Sequence, residues 1–145
     1  MNGNYGSLAA LKVRDGDASA TNPNYRGYLK FNLSGVSGTV TSVKLRLFVT
    51  DPSTNLESVF HVADNAWTER GITYSNAPPL GGLTAIGGST APAVGAYVEI
   101  TLSPTTVTPD TTLLTLAVKS ASTNSAVFSS REVATNKPEL VVAFQ

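Results

Sequence analysis

Hydrophobic and polar residues alternate along much of the chain, which is the pattern of half-buried β-strands. In the clearest run, residues 43–49, Val and Leu occupy every second position, and Lys44, Arg46 and Phe48 lie between them. Clusters of Gly, Pro, Asn, Asp and Ser separate such runs, and no segment keeps a helical period. The pattern predicts about eight strands, at residues 8–14, 28–33, 43–49, 57–63, 97–102, 113–119, 126–131 and 139–144.

One long irregular segment, roughly residues 65–95, interrupts this series of strands. It contains Pro78-Pro79, Gly81-Gly82 and Gly87-Gly88. A loop of this length usually packs over one end or face of a sandwich, or carries its function. The chain has no linker-like stretch and no internal repeat, so we expect residues 1–145 to form one all-β domain, an antiparallel β-sandwich.

Composition narrows the functional classes. The 145 residues include 10 basic and 10 acidic side chains, and only 14% of residues are charged. This balance argues against a nucleic-acid partner, because such binding depends on neutralising phosphates. The chain has no cysteine, which excludes disulfides, thiolate metal sites and a cysteine nucleophile. It has one histidine, so a zinc site would have few candidate ligands. No apolar run is long enough for membrane insertion.

The same composition, rich in Thr, Ser, Gly and Asn, suits a bacterial extracellular protein, either secreted or on the cell surface. The chain opens Met1-Asn2-Gly3-Asn4, without the basic and apolar stretches of a signal peptide. We therefore expect the signal peptide to be absent from this chain, which is interpreted as a piece of a longer protein.

Short strings of residues distributed along the whole chain form a further pattern. The strings are Asn4-Tyr5-Gly6, Leu11-Lys12-Val13-Arg14, Arg26-Gly27-Tyr28-Leu29-Lys30-Phe31-Asn32-Leu33, Val43-Lys44-Leu45-Arg46-Leu47, Asp64-Asn65-Ala66-Trp67-Thr68-Glu69, Ile72-Thr73-Tyr74-Ser75-Asn76-Ala77-Pro78, Phe128-Ser129-Ser130-Arg131-Glu132 and Pro138-Glu139-Leu140-Val141-Val142. Their identity and order resemble the DNRLRE domain of secreted, multidomain bacterial and archaeal proteins. The resemblance implies a jelly-roll β-sandwich. It also implies a carbohydrate-binding role, since relatives are appended to polysaccharide-active enzymes and cell-surface proteins, and some bind acidic polysaccharides such as alginate.

Members of that family usually begin with a further strand, ahead of the segment that here is Asn4-Tyr5-Gly6. This chain starts almost at that segment, so the resemblance implies a sandwich that lacks the family's first strand. The unpaired edge left by a missing strand invites pairing with another strand. Two expectations follow: the strand lies beyond the boundary of this piece, or another chain supplies it and the protein self-associates through the edge.

Basic residues fall at strand positions that alternate with apolar ones, whereas acidic residues mostly fall in turns. On neighbouring strands these bases would form a positive surface for uronate carboxylates, which an Arg fork binds through two oxygens. The alternatives are solvated outer faces and cross-strand ion pairs. The predicted ligand-binding residues are Lys12, Arg14, Lys30, Arg46, Lys119 and Arg131 as charge donors, with Tyr28 as a platform for a sugar ring.

Two further candidates lie in predicted loops. Trp67, the single tryptophan, is either a sugar platform or an anchor that holds the long loop to the core, and we favour the anchor, with the same interpretation for Tyr74. Asp15 and Asp17 are candidate ligands of a structural calcium, which prefers several oxygen ligands, although Asp-Gly is also an ordinary turn pair. Asp64 and Glu69 form a weaker oxygen cluster near Trp67.

Signals for catalysis are weak. The acidic residues show no spacing typical of a glycosidase pair, and neither a nucleophile elbow nor a phosphate-binding loop is present. A polysaccharide lyase would need a set such as His61, Tyr28 and Arg46, and a single His in a strand is more often structural. We therefore predict no enzymatic activity and no required cofactor, and keep the lyase as a lesser alternative.

The sequence thus predicts a non-catalytic carbohydrate-binding module for an anionic, uronate-containing polysaccharide such as alginate. Such a module would target an attached enzyme or surface protein to that polymer. The alternative is a structural subunit of a stalk or filament that assembles through strand complementation.

Overall fold

The strands of the protein follow the predicted alternation closely. The computed structural model describes residues 3–17, 19–54, 56–89 and 92–145. In these residues the chain forms a short 3₁₀ turn, Pro104–Thr106, and nine strands. The strands are β1 (Ala10–Val13), β2 (Gly27–Asn32), β3 (Val40–Asp51), β4 (Glu57–Val62), β5 (Gly87–Ser89), β6 (Tyr97–Leu102), β7 (Leu113–Ser120), β8 (Ala126–Ser129) and β9 (Glu139–Phe144).

The strands form two antiparallel sheets, which confirms the predicted β-sandwich. One sheet has the order β1-β8-β3-β6, with β9 also paired to β3, and the other has the order β2-β7-β4-β5. These two orders are those of the eight strands of a jelly roll, to which β9 adds a ninth. The long β3 pairs with β6 along one side and with β9 and then β8 along the other. Among the described residues no helix is long and apolar enough to cross a membrane.

The core lies between the two sheets. Val43, Leu45, Leu47 and Val49 on β3 are completely buried, while the residues that alternate with them are partly exposed. They pack against inward-facing residues of the other sheet, Leu114, Leu116 and Val118 on β7 among them. Complete burial of such a side chain contributes about 1.5–3 kcal/mol, so this alternation is the main determinant of the fold.

The long loop predicted after residue 65 covers the outer face of the four-stranded sheet. We call residues 63–86, between β4 and β5, the excursion. Leu80 of the excursion packs with Val62, Ala117, Tyr28 and Phe60 in a second, smaller apolar cluster on that face. This covering explains why β7 is buried on both of its faces. The prediction of an irregular segment to residue 95 was wrong in one respect, since Gly87–Ser89 forms strand β5 beside β4.

The two sheets are open along one side, where β1 and β2 are the edge strands. A single bridge connects these edges beyond the strands, because Arg14 and Tyr25 exchange backbone hydrogen bonds of 3.1 and 3.0 Å. Apart from that bridge, β1 and β2 do not pair with each other. A concavity occupies the space between these two edge strands.

Candidate functional site

A cleft of about 680 Å³ occupies the open side of the sandwich. Its walls are the segment 3–12 that ends in β1, the strand β2, part of the excursion and the turn after β8. The floor is apolar: Leu11, Leu29 and Phe31 pack against the core and reach the open side, where the exposed Leu113 adjoins them. We refer to this concavity as the cleft.

The segment before β1 is fixed against the excursion by its own short polar and small residues. The Asn4 side-chain amide donates hydrogen bonds to the carbonyl oxygens of Glu69 (2.7 Å) and Ile72 (2.5 Å). Gly6 lies so close to the Glu69 carbonyl that any larger residue would collide with it. The Tyr5 ring packs edge-on against Tyr25 at a centroid distance of 5.9 Å. The string Asn-Tyr-Gly therefore builds one wall of the cleft.

Two cations on the rim of the cleft lie over tyrosine rings. The Lys12 ammonium is 4.9 Å from the ring centroid of Tyr25. The Arg26 guanidinium is 5.1 Å from the ring centroid of Tyr74 and 3.5 Å from its hydroxyl oxygen. Neither cation forms an ion pair with a described carboxylate. We call these four residues the rim pairs; they present positive charge next to an aromatic surface.

The other two cations of the cleft are engaged within the protein. The Lys30 ammonium donates to the carbonyl oxygens of Asn65 (2.7 Å) and Trp67 (2.5 Å) and lies 4.4 Å from the Trp67 ring centroid. Arg131 is paired with Glu69 at 3.3 Å and with Glu132 at 3.1 Å. These two cations stabilise the walls of the cleft more than they offer free charge.

Trp67 holds the excursion against the four-stranded sheet. Its indole N–H donates to the Thr115 hydroxyl at 3.1 Å, and its ring packs edge-on against Tyr28 at 6.0 Å. The Tyr28 hydroxyl in turn donates to the Pro78 carbonyl oxygen at 2.6 Å, and burial raises the pKa of Tyr28. Both aromatic rings thus contribute to packing under the excursion while one side of each lines the cleft.

The outer face of the five-stranded sheet carries a different arrangement of charge. Lys44 and Arg46 each lie 3.2 Å from a Glu99 carboxylate oxygen, and Arg46 also pairs with Glu139. The Arg46 guanidinium is 4.3 Å from the Tyr97 ring centroid. The register of β6, β3 and β9 places Glu99, Arg46 and Glu139 side by side. These are the cross-strand ion pairs that were the alternative to a ligand surface.

The seven predicted ligand-binding residues do not share one surface. Lys12, Tyr28, Lys30 and Arg131 line the cleft. Arg46 belongs to the ion-paired outer face, and Lys119 lies on β7 opposite Ser58, on the outward side of the other sheet. Arg14 forms the bridge to Tyr25, and its Nε atom is buried without a hydrogen-bond partner. A single basic sheet face is therefore not formed.

Sequence reasoning did not select Arg26, Tyr25 or Tyr74 as ligand contacts. Arg26 precedes β2 and Tyr74 lies in the excursion, so neither belongs to an alternating run. The one available signal was that Arg26 and Tyr74 both belong to strings that carry the family resemblance.

The predicted calcium ligands lie in the loop between β1 and β2. The Asp15 backbone N–H donates to the Ser122 carbonyl oxygen at 2.7 Å. Asp17 accepts a hydrogen bond of 2.9 Å from the Ser19 N–H, and hydrogen bonds from Ser19 hold the pKa of Asp17 below its ordinary value. No group of three or more Asp, Glu, His or Cys side chains suited to a metal occurs among the residues that the structure describes.

The residues of the other sequence candidates are separated. Asp64 accepts a hydrogen bond of 2.7 Å from the Ala66 N–H, whereas Glu69 is paired with Arg131. His61 is exposed on β4, Tyr28 packs under the excursion and Arg46 is on the outer face of the opposite sheet. The structure therefore does not assemble the lyase set.

A jelly roll with an open, aromatic and cationic cleft, and with dispersed acidic residues, has the features of a binding module. The chain belongs to carbohydrate-binding module family 96, since the sequence model of that family matches residues 1–144. No curated protein matches the chain. Membership supports a carbohydrate-binding role, which modules of this kind generally perform without catalysis.

Proposed function

We propose that the cleft binds an acidic, uronate-containing polysaccharide such as alginate, and that the module holds an attached enzyme or surface protein on that polymer outside the cell. The observation that carries the proposal is the pair of rim cations, Lys12 and Arg26, each over a tyrosine ring and each without a described carboxylate partner. The cleft lining contains four cations, Lys12, Arg26, Lys30 and Arg131, against one acid, Glu69. The local field therefore favours an anion although the whole chain is neutral.

The chemistry of the rim pairs suits a uronate ring. A carboxylate accepts two parallel hydrogen bonds from an Arg fork, and a charge-assisted bond of this kind is about twice as strong as a neutral one. The tyrosine rings next to these cations offer flat apolar surfaces to the C–H face of a sugar. Since such sites are shallow and wet, we expect affinities in about the micromolar to millimolar range.

Calorimetric titration tests the proposal, with polyuronates and neutral glucans compared at low and high salt. We expect binding to polyuronates that weakens as salt is added, because exposed charge pairs are screened. Lys12→Ala and Arg26→Ala should each lower the affinity about tenfold, the cost of about one charge-assisted contact. Lys119→Ala, which removes a cation outside the cleft, is the matched control and should leave the affinity unchanged.

Two results would contradict the uronate proposal. One is salt-independent binding of neutral glucans with no preference for polyuronates. The other is an equal loss of affinity in Lys119→Ala and in the two rim variants.

A second candidate function is strand complementation in a stalk or filament, and the free edge of β2 favours it. The Leu33 N–H donates to the Thr112 carbonyl oxygen, on the β7 side of the strand. Because backbone groups alternate in direction along a strand, those of Tyr28, Lys30 and Asn32 point away from β7. They face the side on which β2 has no strand partner in the sheet. An added strand could pair there over the apolar floor of the cleft.

Light scattering during size-exclusion chromatography separates the two functions. A monomer at all concentrations supports the binding module, and polymers or exchanged dimers support complementation. Asn32→Pro removes one N–H from the free edge and leaves the pairing with β7 in place, so it should abolish such polymers. Polymers that persist in Asn32→Pro would have to assemble through another surface.

A further inference from the structure

The last strand, β9, has backbone groups that face away from its only strand partner. Within the described residues β9 pairs with β3 alone. Gln145, directly after β9, faces the β3 side, because its N–H donates to the Thr39 carbonyl oxygen at 3.0 Å and its carbonyl oxygen accepts from the Thr39 N–H at 2.8 Å. Since this direction alternates along a strand, the N–H and C=O groups of Leu140, Val142 and Phe144 point away from β3. We call the outward backbone groups of these three residues the β9 edge.

The sheet ends at the β9 edge in the described part of the chain. β8 and β9 follow one another along the same side of β3, and β1 pairs with β8 but not with β9. The β9 edge is therefore a row of hydrogen-bonding groups of the kind that pairs with a further strand.

The β9 edge lacks the features that usually prevent pairing between edges. Such edges carry Lys or Pro, a charged side chain that points inward, or a bulge. Residues 140–145 contain no charged residue and no proline, and the extra residue of the bulge between the two strands, Thr41, lies on β3. Val141 on the outer face of the sheet is 46% exposed, and Phe144 on the inner face is 42% exposed. Both faces of β9 thus present apolar surface beside the edge.

A second copy of β9 is complementary to this edge. Two identical antiparallel strands are related by a twofold axis, and the axis can pass through Val142 of both copies. Leu140 then lies opposite Phe144 of the second copy, and all three outward residues can exchange backbone hydrogen bonds. The same register brings Leu140 and Phe144 together on the inner face, where the exposed part of the Phe144 ring becomes covered.

The charges of the strand agree with this register. On the outer face Val141 lies opposite Ala143 of the second copy, so this part of the contact is apolar as well. Glu139 is the one charged residue of β9, and it is already paired with Arg46 of its own chain. It lies opposite Gln145 of the second copy, so no like charges face each other.

We propose that the β9 edge binds β9 of a second copy of this chain, which joins the two five-stranded sheets into one continuous sheet. The contact is isologous and closed, so it produces dimers and no longer polymers. It uses a different edge from strand complementation at β2, and each chain keeps all of its own strands. The inference does not depend on the proposed carbohydrate function. Because a contact between two edge strands is narrow, we expect a dissociation constant of about 10⁻⁴ M.

Sedimentation equilibrium tests the dimer, at protein concentrations from about tenfold below to about tenfold above that constant. We expect monomers at the low end and dimers at the high end. Val142→Pro removes one N–H from the β9 edge and leaves the pairing with β3 in place, so it should weaken dimerisation at least about tenfold. Val142→Thr, the matched control, keeps that N–H and should still dimerise. Asn32→Pro acts on the β2 edge and should not affect the dimer.

A second variant keeps the proposal testable if Val142→Pro fails to fold. Phe144→Lys retains every backbone group and places a charge on the inner side of the edge, so it should also weaken dimerisation. Its control is Val94→Lys, at an exposed apolar residue in the turn before β6, which should dimerise like the unmodified protein. The proposal is overturned by a protein that stays monomeric throughout the range, by a dimer that persists in both β9 variants, or by a dimer that is lost in Asn32→Pro.

Amide hydrogen exchange measured by NMR examines the β9 edge residue by residue. The N–H groups of Leu140, Val142 and Phe144 should exchange rapidly in dilute protein and slowly where the dimer forms. Those of Val141 and Ala143, which already face β3, should change little. If the three edge amides are already protected in the monomer, another segment covers the edge and the proposal is wrong. Dimers that form without added protection of these amides would likewise contradict it.

Discussion

Two surfaces of this protein use the same residue types with different results. On the outer face of the five-stranded sheet, Lys44 and Arg46 are paired with Glu99 and Glu139. On the rim of the cleft, Lys12 and Arg26 lie over tyrosine rings and have no described carboxylate partner. Arg46 also lies over a ring, that of Tyr97, so an aromatic neighbour does not distinguish the two surfaces. The two surfaces differ in whether carboxylates of the protein pair with the cations.

This comparison indicates what makes a cationic surface available to an anionic ligand. Exposed ion pairs contribute little to stability, with a median of about 0–1 kcal/mol, but they occupy the charge of the cation. A ligand carboxylate must then displace an internal one, and little affinity is gained. A cation over a ring keeps its charge available, since the ring is neutral. The number of basic residues on a surface therefore does not predict whether it binds an anionic ligand. What matters is whether each cation is already paired with a carboxylate.

The largest expected effect follows from removing the aromatic support of each surface. Trp67→Ala should lower the free energy of unfolding by about 3 kcal/mol, the lower end of the range for Trp→Ala, because Trp67 is half-buried and also contacts Lys30 and Thr115. It should also weaken polyuronate binding, since it loosens a wall of the cleft. Tyr97→Ala on the other surface should cost about 1 kcal/mol and leave binding unchanged. Urea unfolding and calorimetry measure both. Equal losses of binding would show that the surfaces are not distinct.

The second-largest expected effect comes from comparing the carboxylates of the protein, and no longer its cations, by whether they have a partner of opposite charge. Glu99 and Glu139 have cationic partners, whereas Glu57 is buried without one. Since its pKa is raised from 4.5 to about 7, the folded state binds a proton there that the unfolded state has already lost. The resulting stability is complete below pH 4.5 and is lost as the pH increases through 7.

Between pH 5 and pH 8 the free energy of unfolding should therefore decrease by about 2.5 kcal/mol. Urea unfolding at a series of pH values measures this change. Glu57→Gln is the informative variant, because its stability should vary much less over the same range. A decrease of the same size in Glu57→Gln would assign the effect to other groups.

The sequence was informative wherever structure follows from local alternation. Half-buried strands alternate by geometry, so β6 and the central part of β3 could be located from the runs at residues 97–102 and 43–49. β5 was missed because Gly87 and Gly88 offer no side chains for a pattern. Lys12 and Lys30, which line the cleft, were predicted as ligand contacts on a basic sheet face because they alternate with core residues. Arg26 was missed, and Tyr74 was interpreted as an anchor of the loop, because residues in turns follow no period that would place them on the cleft.

The charge partners could not be predicted for a different reason. Glu99 meets Arg46 through the register of β3 with β6, which connects residues far apart in the chain. Glu139 likewise meets Arg46 through the register of β3 with β9. Alternation shows on which side of a strand a residue lies, but it does not show which residue of the neighbouring strand lies beside it. The distinction between the two surfaces therefore appears only once the sheets are assembled.

The smallest expected effect is also the most direct test of the comparison. Glu99→Gln combined with Glu139→Gln removes the described partners of Lys44 and Arg46 and leaves Arg46 over the Tyr97 ring. The outer face then resembles the rim, so the variant should acquire polyuronate affinity there, with a total binding increase of about threefold at low salt. Its stability should change by no more than about 1 kcal/mol, because these pairs are exposed. The control is Asp110→Asn, which removes an exposed acid that has no described ion-pair partner and leaves both surfaces intact. If the double variant binds no better than this control, the carboxylates are not what separates the two surfaces, and the shape of the cleft becomes the decisive property.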